Sequence, residues 1–299
     1  MNNVTLITED DKCIQIPDWG IHKIITKPGF TVELELSPIN QRIILLNYQV
    51  KDRPAIISLV DLLDKLALKN GLNKVWGKIP QQDARHFIDC GFLKEATIRD
   101  YFGPNQDADV CARFHDNRNL SVNAETNKEM VKKLQETIIP DCTVNPIHDY
   151  HIRIADKEDT YQMVELYRQV FSTYPYPVYD PAFLQNTMEN TRYLLVFRND
   201  LLVATAAAEM NHIYKNAEMT DFATLPTEQG KGLARFILQE LEKEMQSLNI
   251  HCLYTIARTT SPGMNRVFIK MGYEYTGTLI NNCHIAGSFE DMNVYCKTI

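Results

Sequence analysis

The chain has little that would tie it to a membrane, a metal or a nucleic acid. No apolar run is long enough to span a bilayer. The start, Met1-Asn2-Asn3-Val4-Thr5-Leu6, has no basic segment leading into an apolar one, so neither a membrane partner nor a secretory leader is expected. Positive charge is short: 31 Lys and Arg stand against 38 Asp and Glu, a net charge of -7, which argues against nucleic acid as a partner. Cysteine pairing is missing too. The seven cysteines (Cys13, Cys90, Cys111, Cys142, Cys252, Cys283 and Cys296) are odd in number, scattered, and form no Cys-x-x-Cys pair or Cys/His cluster. That pattern fits reduced thiols in a cytoplasm and no structural zinc, so no metal is expected. Cys90 and Cys252 fall within apolar patterns and read as core.

What is present suggests two globular units. A length of 299 residues with 44% hydrophobic residues is enough for two cores. In the first unit, residues 1–120, strands are expected at 32–36, 42–46 and 55–58, divided by turns at Lys27-Pro28-Gly29 and Asp52-Arg53-Pro54. A helix over 59–70 ends on Gly71, a strand covers 74–79, a short helix over 83–90 ends on Gly91, and a strand covers 92–101. Residues 104–123 are polar and read as loop. Residues 121–149 connect the units, with a helix over 124–137 and a linker at 140–149. The second unit, 150–299, opens with a strand at 151–155 and a helix reaching Tyr174, capped by Asp156 or Asp159. A proline-tyrosine loop, a helix at 181–190 and a hairpin around Asn199-Asp200 follow. Then come the strand 218–224, a helix to Asn249, a strand at 251–257, a helix at 261–271 and two closing strands. The units echo each other: 84–92 (Ala-Arg-His-Phe-Ile-Asp-Cys-Gly-Phe) matches 265–273 (Asn-Arg-Val-Phe-Ile-Lys-Met-Gly-Tyr).

The chain is organised around residues 216–234. A strand ends at Pro226, which has no N–H to give a ladder. Then Gln229-Gly230-Lys231-Gly232-Leu233-Ala234 runs into a helical pattern of Leu233, Phe236, Ile237 and Leu241. Strand, glycine turn and helix N-terminus make an anion site, because the first-turn N–H groups and the helix dipole both favour negative charge. A Walker loop needs a different spacing, and a dinucleotide fingerprint needs three glycines early in a domain. An ordinary strand–loop–helix is the plain alternative.

The Gln229-x-x-Gly232-x-Ala234 spacing resembles the signature of the GNAT acetyltransferases, and the element order of the second unit is similar to theirs. The resemblance implies an α/β (α+β) fold: a GNAT domain in the C-terminal half and a degenerate GNAT-like domain in front of it. The front unit lacks a Gly-x-Gly loop before its long helix, where Leu59-Val60-Asp61 stands, so no phosphate is expected there, only packing or partner contact. Segments 216–224, 254–258, 263–265, 277–282 and 292–294, with the Tyr174-Pro175-Tyr176-Pro177 loop, look like the β-lysine N6-acetyltransferases. That implies acetyl transfer from acetyl-CoA, as cosubstrate, to the terminal amine of β-lysine, giving Nε-acetyl-β-lysine, a compatible solute. It also implies a lysine 2,3-aminomutase as pathway neighbour. Another small amine, a protein N-terminus or lysine as acceptor, and a non-catalytic CoA-binding sensor are the alternatives. The sequence leaves oligomeric state open, a homodimer included.

The chemistry needs a base, since aminolysis of a thioester requires an amine lone pair. By resemblance Glu218, six residues before Thr224, is the first choice, with Glu209 and Asp221 as alternatives. Asp221 has the opposite strand parity and should not share a face with Glu218. The resemblance assigns the pyrophosphate to the N–H groups of Gln229, Gly230, Lys231, Gly232, Leu233 and Ala234. It assigns the pantetheine amides to the edge of Phe222-Ala223-Thr224. Asn265 is a candidate for the cofactor arm, or a plain helix-surface residue. Tyr174, Tyr176 and Tyr179 suit recognition of a small ligand or a clasp over the core. Arg258 is a candidate clamp for the substrate carboxylate, against a structural ion pair. Phe268 stands where the family often has an acidic tyrosine; it cannot donate a proton, and Tyr273 and Tyr275 are weak substitutes.

Overall fold

The computed structural model describes residues 3–141, 149–285 and 287–299. The alternating patterns of the first half build a hairpin and a sheet. The hairpin is β1 (Asn3–Ile7) and β2 (Cys13–Pro17). β3 (Ile21–Lys27), β4 (Phe30–Ser37) and β5 (Arg42–Val50) form an antiparallel meander. Helix α1 (Arg53–Asn70) crosses over to β6 (Lys74–Pro80), which lies parallel to β5. Then follow α2 (Gln81–Asp89), β7 (Leu93–Ile98) and β8 (Ala108–Phe114), and β8 inserts between β6 and β7.

The second half starts with α3 (Ala124–Thr137), β9 (His151–Ile154), α4 (Thr160–Val170) and α5 (Pro181–Thr187). β10 (Thr191–Arg198), β11 (Leu201–Asn211) and β12 (Asn216–Thr224) form a second meander. Helix α6 (Leu233–Ser247) crosses over to the parallel β13 (Cys252–Arg258). Helix α7 (Pro262–Lys270), β14 (Glu274–Ile285) and β15 (Ser288–Thr298) complete a seven-stranded sheet in which β15 inserts between β13 and β14. The run from β3 to β8 is thus repeated, element for element, by the run from β10 to β15. The 84–92 and 265–273 match corresponds to α2 and α7.

Two expectations for the first half are corrected. Residues 55–58 are not a strand: α1 begins at Arg53, and the β-branched pair Ile56-Ile57 lies in its first turns. The segment read as a turn holds the start signal, since Asp52 Oδ1 accepts from the Ala55 N–H at 3.0 Å and Pro54 occupies the first turn. The residue ahead of this helix is therefore Asp52, whose carboxylate takes the place an anion would have. Residues 104–123 are not all loop either. Within them, β8 is a central strand whose small residues Ala108, Val110 and Ala112 sit against the other sheet. Small size made it look weakly hydrophobic and lets two sheets approach. Most of the expected linker, residues 142–148, lies outside the described residues.

The two sheets pack face to face. Ile44, Trp76, Ala96, Ile98, Ala108, Val110 and Ala112 of the first half share a core with Cys252, Tyr254, Leu279, Cys283, Met292, Val294 and Cys296 of the second. The outer face of the first sheet is covered by α1 and α2, and that of the second by α6 and α7, while α4 and α5 lie on the other face of the second sheet, against Thr205 and Tyr193. Polar bonds lock the layers. Lys74 Nζ donates to the Ile280 carbonyl at 2.8 Å, and Arg118 Nη2 bridges the carbonyls of Asn40 (2.8 Å) and Asn281 (2.7 Å). At Gly277 a Cβ would stand 2.0 Å from the Glu95 carbonyl oxygen, so only glycine permits this approach. Among the described residues no helix is long and apolar enough to cross a membrane, no acidic, histidine or cysteine cluster could hold a metal, and six cysteines are free thiols.

Candidate active site

The site forms where β12 parts from its neighbours. β12 and β13 pair only through Asn216–Cys252, Ala217–Leu253 and Glu218–Tyr254. Past Glu218 the strands diverge, so the β12 edge at 219–224 faces β13 with no strand pairing. On its other side β12 carries a bulge: Thr220 pairs with Ala207 and Ala223 with Thr205, leaving Asp221 and Phe222 opposite one residue. Asp221 has the left-handed φ of 54°. The bulge turns it towards the side of Thr220, whose hydroxyl lies 3.4 Å from Asp221 Oδ1. The parity expectation is therefore corrected. It assumed an unbroken pleat, and one extra residue brings Asp221 into the same charged neighbourhood as Glu218.

Glu218 pairs across the sheet with Glu209, so their side chains are neighbours on one face. That face looks into the first half. Burial pushes the Glu218 carboxyl up to about 7; the Lys78 ammonium and the Tyr254 hydroxyl pull it back, while Glu209 and Asp221 add repulsion. Asp221 is pushed up to about 6 by burial, with Tyr174 opposing and Glu209 adding. Tyr174 donates to Asp221 Oδ1 at 2.6 Å, so Asp221 is held by the loop while Glu218 is not. A partly buried carboxylate poised near neutrality can accept a proton from an ammonium group. Glu209, the other alternative, is the most solvent-exposed of the three.

The anion loop is built as a cradle. Gly230 and Gly232 have φ of 77° and 85°, and a Cβ at either would meet nothing within 4 Å, so the need for glycine is conformational and the space above them is open. Gly232 precedes α6 without a side-chain cap, and the first turn has no acidic residue, so its N–H groups are left for a ligand. Gln229 closes the loop by donating to the Thr224 carbonyl at 3.3 Å. Lys231 is paired with the buried Glu228 at 2.8 Å, which also accepts from Tyr150 and Arg198. These partners, Lys231 first, hold the Glu228 carboxyl down at about 2. The lysine charge is thus largely offset inside the loop. Leu233 is buried and Ala234 half-buried at the helix start.

Other expected site residues have different duties. Asn265 is fully buried. Its amide donates to the carbonyls of Arg258 and Ser261 at 2.8 Å each, and its oxygen accepts from Asn293 (2.8 Å) and Tyr295 (2.6 Å). Nothing is left for a cofactor arm, and it is not a surface residue, so both readings are corrected. Arg258 forms a two-pronged pair with Glu290, which leaves the structural reading of that residue. Phe268 is buried edge-on against Phe222 at 5.6 Å and against Tyr273 at 5.2 Å. Tyr273 lies in the same core, and the Tyr275 hydroxyl is 2.7 Å from that of Thr278. The tyrosine loop spans the halves: Tyr174 reaches Asp221, the Tyr176 hydroxyl accepts from Arg42 at 3.3 Å, and Pro175 O accepts from Asn40 at 3.3 Å. Tyr179 donates to the Phe171 carbonyl and braces the loop itself.

The first half brings side chains to this site that were not expected there. It does more than pack. Lys78 of β6 sits over the rings of Tyr254 (5.1 Å), Tyr101 (5.6 Å) and Trp76 (5.7 Å). Burial opposes its charge, but Tyr101, Glu218 and Glu209 outweigh that and hold its pKa above the ordinary lysine value. Arg42 and Glu35 stand on the same inward face. The alternation Lys74-Val75-Trp76-Gly77-Lys78 was a signal, since it puts two lysines on a face that should be apolar.

The acetyltransferase (GNAT) family profile matches residues 159–273. A β-lysine N(6)-acetyltransferase from Methanococcus maripaludis is 33% identical over 265 residues, covering 88% of this chain and 95% of the relative. The N-acetyltransferase YodP of Bacillus subtilis is 32% identical, covering 93% and 99%. A β-lysine N(6)-acetyltransferase from Methanosarcina mazei is 30% identical, covering 79% and 95%. With a split strand, a bulge, a half-buried carboxylate and an uncapped helix start in place, the chain belongs to the GNAT family and is an N-acetyltransferase.

Proposed function

We propose that the chain transfers acetyl from acetyl-CoA to the terminal amine of β-lysine, giving Nε-acetyl-β-lysine, a compatible solute. The observation that carries the chemistry is Glu218, pushed up to about 7 where β12 parts from β13. The acceptor identity draws its support from the two β-lysine enzymes among the relatives. A lysine-type amine has a pKa of about 10.4, so deprotonating it at pH 7 costs roughly 4–5 kcal/mol. Glu218 is the base for that proton, directly or through water, with Asp221 and Glu209 shaping its charge. The free β12 edge at Phe222, Ala223 and Thr224 pairs with the pantetheine amides, and N–H groups from Gln229 to Ala234 bind the pyrophosphate. Backbone N–H groups at the bulge serve the developing oxyanion. The departing thiolate has a pKa of about 8.5 and needs little help, which suits a site with Phe268 and no acid there.

The cytoplasm is the proposed location, and a lysine 2,3-aminomutase the proposed source of substrate. The tyrosine loop is bonded to Asp221 on one side and to Arg42 and Asn40 of the first half on the other, which favours a small acceptor over a protein N-terminus. Thiol release with β-lysine, α-lysine, ornithine, spermidine and an N-terminal peptide tests this. Selective turnover of β-lysine is expected; preference for another amine would overturn the acceptor assignment while leaving the family standing.

A further inference from the structure

Internal symmetry singles out one residue of the first half. In the second half Glu209 pairs with Glu218, and Glu218 with Tyr254. The corresponding pairs in the first half are Glu35 with Ile44, and Ile44 with Trp76. Ile44 thus stands where the base would be, so the first half has no base of its own. Glu35 stands where Glu209 would be, and it has stayed a carboxylate. Because the sheets are face to face, these two glutamates stand on facing sheets within reach of each other's charge.

Glu35 has no structural task that explains it. Its Oε1 is buried without a hydrogen-bond partner, and no ion pair is made by Glu35 among the described residues. The groups facing it are known. Arg42 on β5 uses its terminal nitrogens elsewhere: Nη1 donates to the Asn282 carbonyl at 2.7 Å and lies 3.1 Å from Cys283 Sγ, and Nη2 reaches Tyr176, while its buried Nε has no partner and its charge favours ionised Glu35. Lys78 on β6 is held over its three rings. His22 on β3 leans towards Glu33 at 3.6 Å. Glu209 on β11 and Tyr176 on the loop complete the surroundings, and Glu209 repels. Glu35 and Glu209 repel across the sheets, and Arg42, His22 and Lys78 offset this only in part, since the Glu35 carboxyl stays raised and its Oε1 keeps no partner.

We propose that Glu35 is a specificity residue that binds the second ammonium group of the acceptor while the reacting amine lies at Glu218. This rests on the β-lysine reading above, whose substrate carries two amines on one short chain. Burial raises the Glu35 carboxyl above the usual range, Arg42, His22 and Lys78 lower it, and Glu209 raises it, so an arriving ammonium would also favour its charged form.

The test compares β-lysine with 6-aminohexanoate, which has the same skeleton and terminal amine but lacks the second one. With the full-length enzyme, Glu35→Gln should raise KM for β-lysine about ten- to a hundred-fold, with kcat within about two-fold. KM values for 6-aminohexanoate and acetyl-CoA should not move. Glu35→Asp, one methylene shorter, should lose part of the discrimination and serves if the first variant does not fold. Equal loss with both acceptors, or an unchanged β-lysine preference, would overturn the role of Glu35 alone. A wild-type enzyme that turns over neither acceptor would overturn the β-lysine reading and this subsite with it.

Discussion

Replacing Glu218 by Gln should slow turnover and, above neutrality, make the protein more stable. The folded-state pKa of Glu218 is raised from 4.5 to about 7, chiefly by burial. A carboxyl with a raised pKa keeps its proton in the folded chain after the unfolded chain has lost it. Its cost to stability is therefore absent below pH 4.5, grows between 4.5 and about 7, and is full above that. At about 1.36 kcal/mol per unit, the full cost is about 3 kcal/mol, of which roughly 2–3 kcal/mol accrues between pH 5 and pH 8. Gln resembles the neutral carboxyl in shape and carries no such cost. Lys78, Tyr254, Glu209 and Asp221 already act on the net value, so they need no separate correction. The stability difference between Glu218→Gln and wild type should widen by about 2–3 kcal/mol from pH 5 to pH 8, or roughly 5 °C in Tm. Urea unfolding at both pH values measures it, and thiol release on the same samples should fall by about 10²–10⁴-fold at pH 7. A difference that stays flat with pH would refute the burial argument. Undiminished turnover would remove Glu218 as base.

Other outcomes are equally specific. Wild-type kcat/KM should rise with pH through an inflection near 7 as Glu218 loses its proton, and a pH profile lacking that step contradicts the assignment. Lys78→Met removes a cation that favours ionised Glu218, so the inflection should move above 7 and turnover at pH 7 should drop; an unmoved inflection would uncouple the two halves electrostatically. Gly232→Asp places a Cβ at φ 85° and an acid beside the helix start, and calorimetry should find acetyl-CoA binding abolished. Asn265→Ala strands buried partners and should cost about 1–3 kcal/mol in unfolding experiments while KM for acetyl-CoA holds; a selective rise in that KM would restore Asn265 as a cofactor contact.

Local chemistry made much of this readable. Gly71 behind α1 and the proline-tyrosine loop behave as their residues suggest, because each acts within a few positions of itself. The glycine loop reads the same way, since φ values of 77° and 85° and an uncapped helix start are local properties. Failures came where tertiary context prevailed. Ile56-Ile57 has strand propensity, yet the Asp52 cap and Pro54 start a helix through it. β8 is poor in large apolar residues because another sheet lies against it. Asp221 defied the period-two rule through a bulge that pairing with β11 creates. Glu35, Lys78 and Tyr254 meet across the packed sheets, at sequence separations no periodicity can bridge.

Gly277 has a consequence of another kind. By letting the sheets touch at Glu95, it joins two copies of one topology across a single shared core, and in the proposed function the two copies carry different tasks. The copy with the glycine cradle and Glu218 is constrained by chemistry that every acetyl transfer shares. The copy without them, in which Asp52 caps the helix and Ile44 stands at the position of Glu218, is free to vary on its inward strands. Evolution can then change which amine is accepted by altering β4 alone, where Glu35 stands. The transfer machinery stays untouched, much as an interchangeable jaw is fitted to a fixed tool.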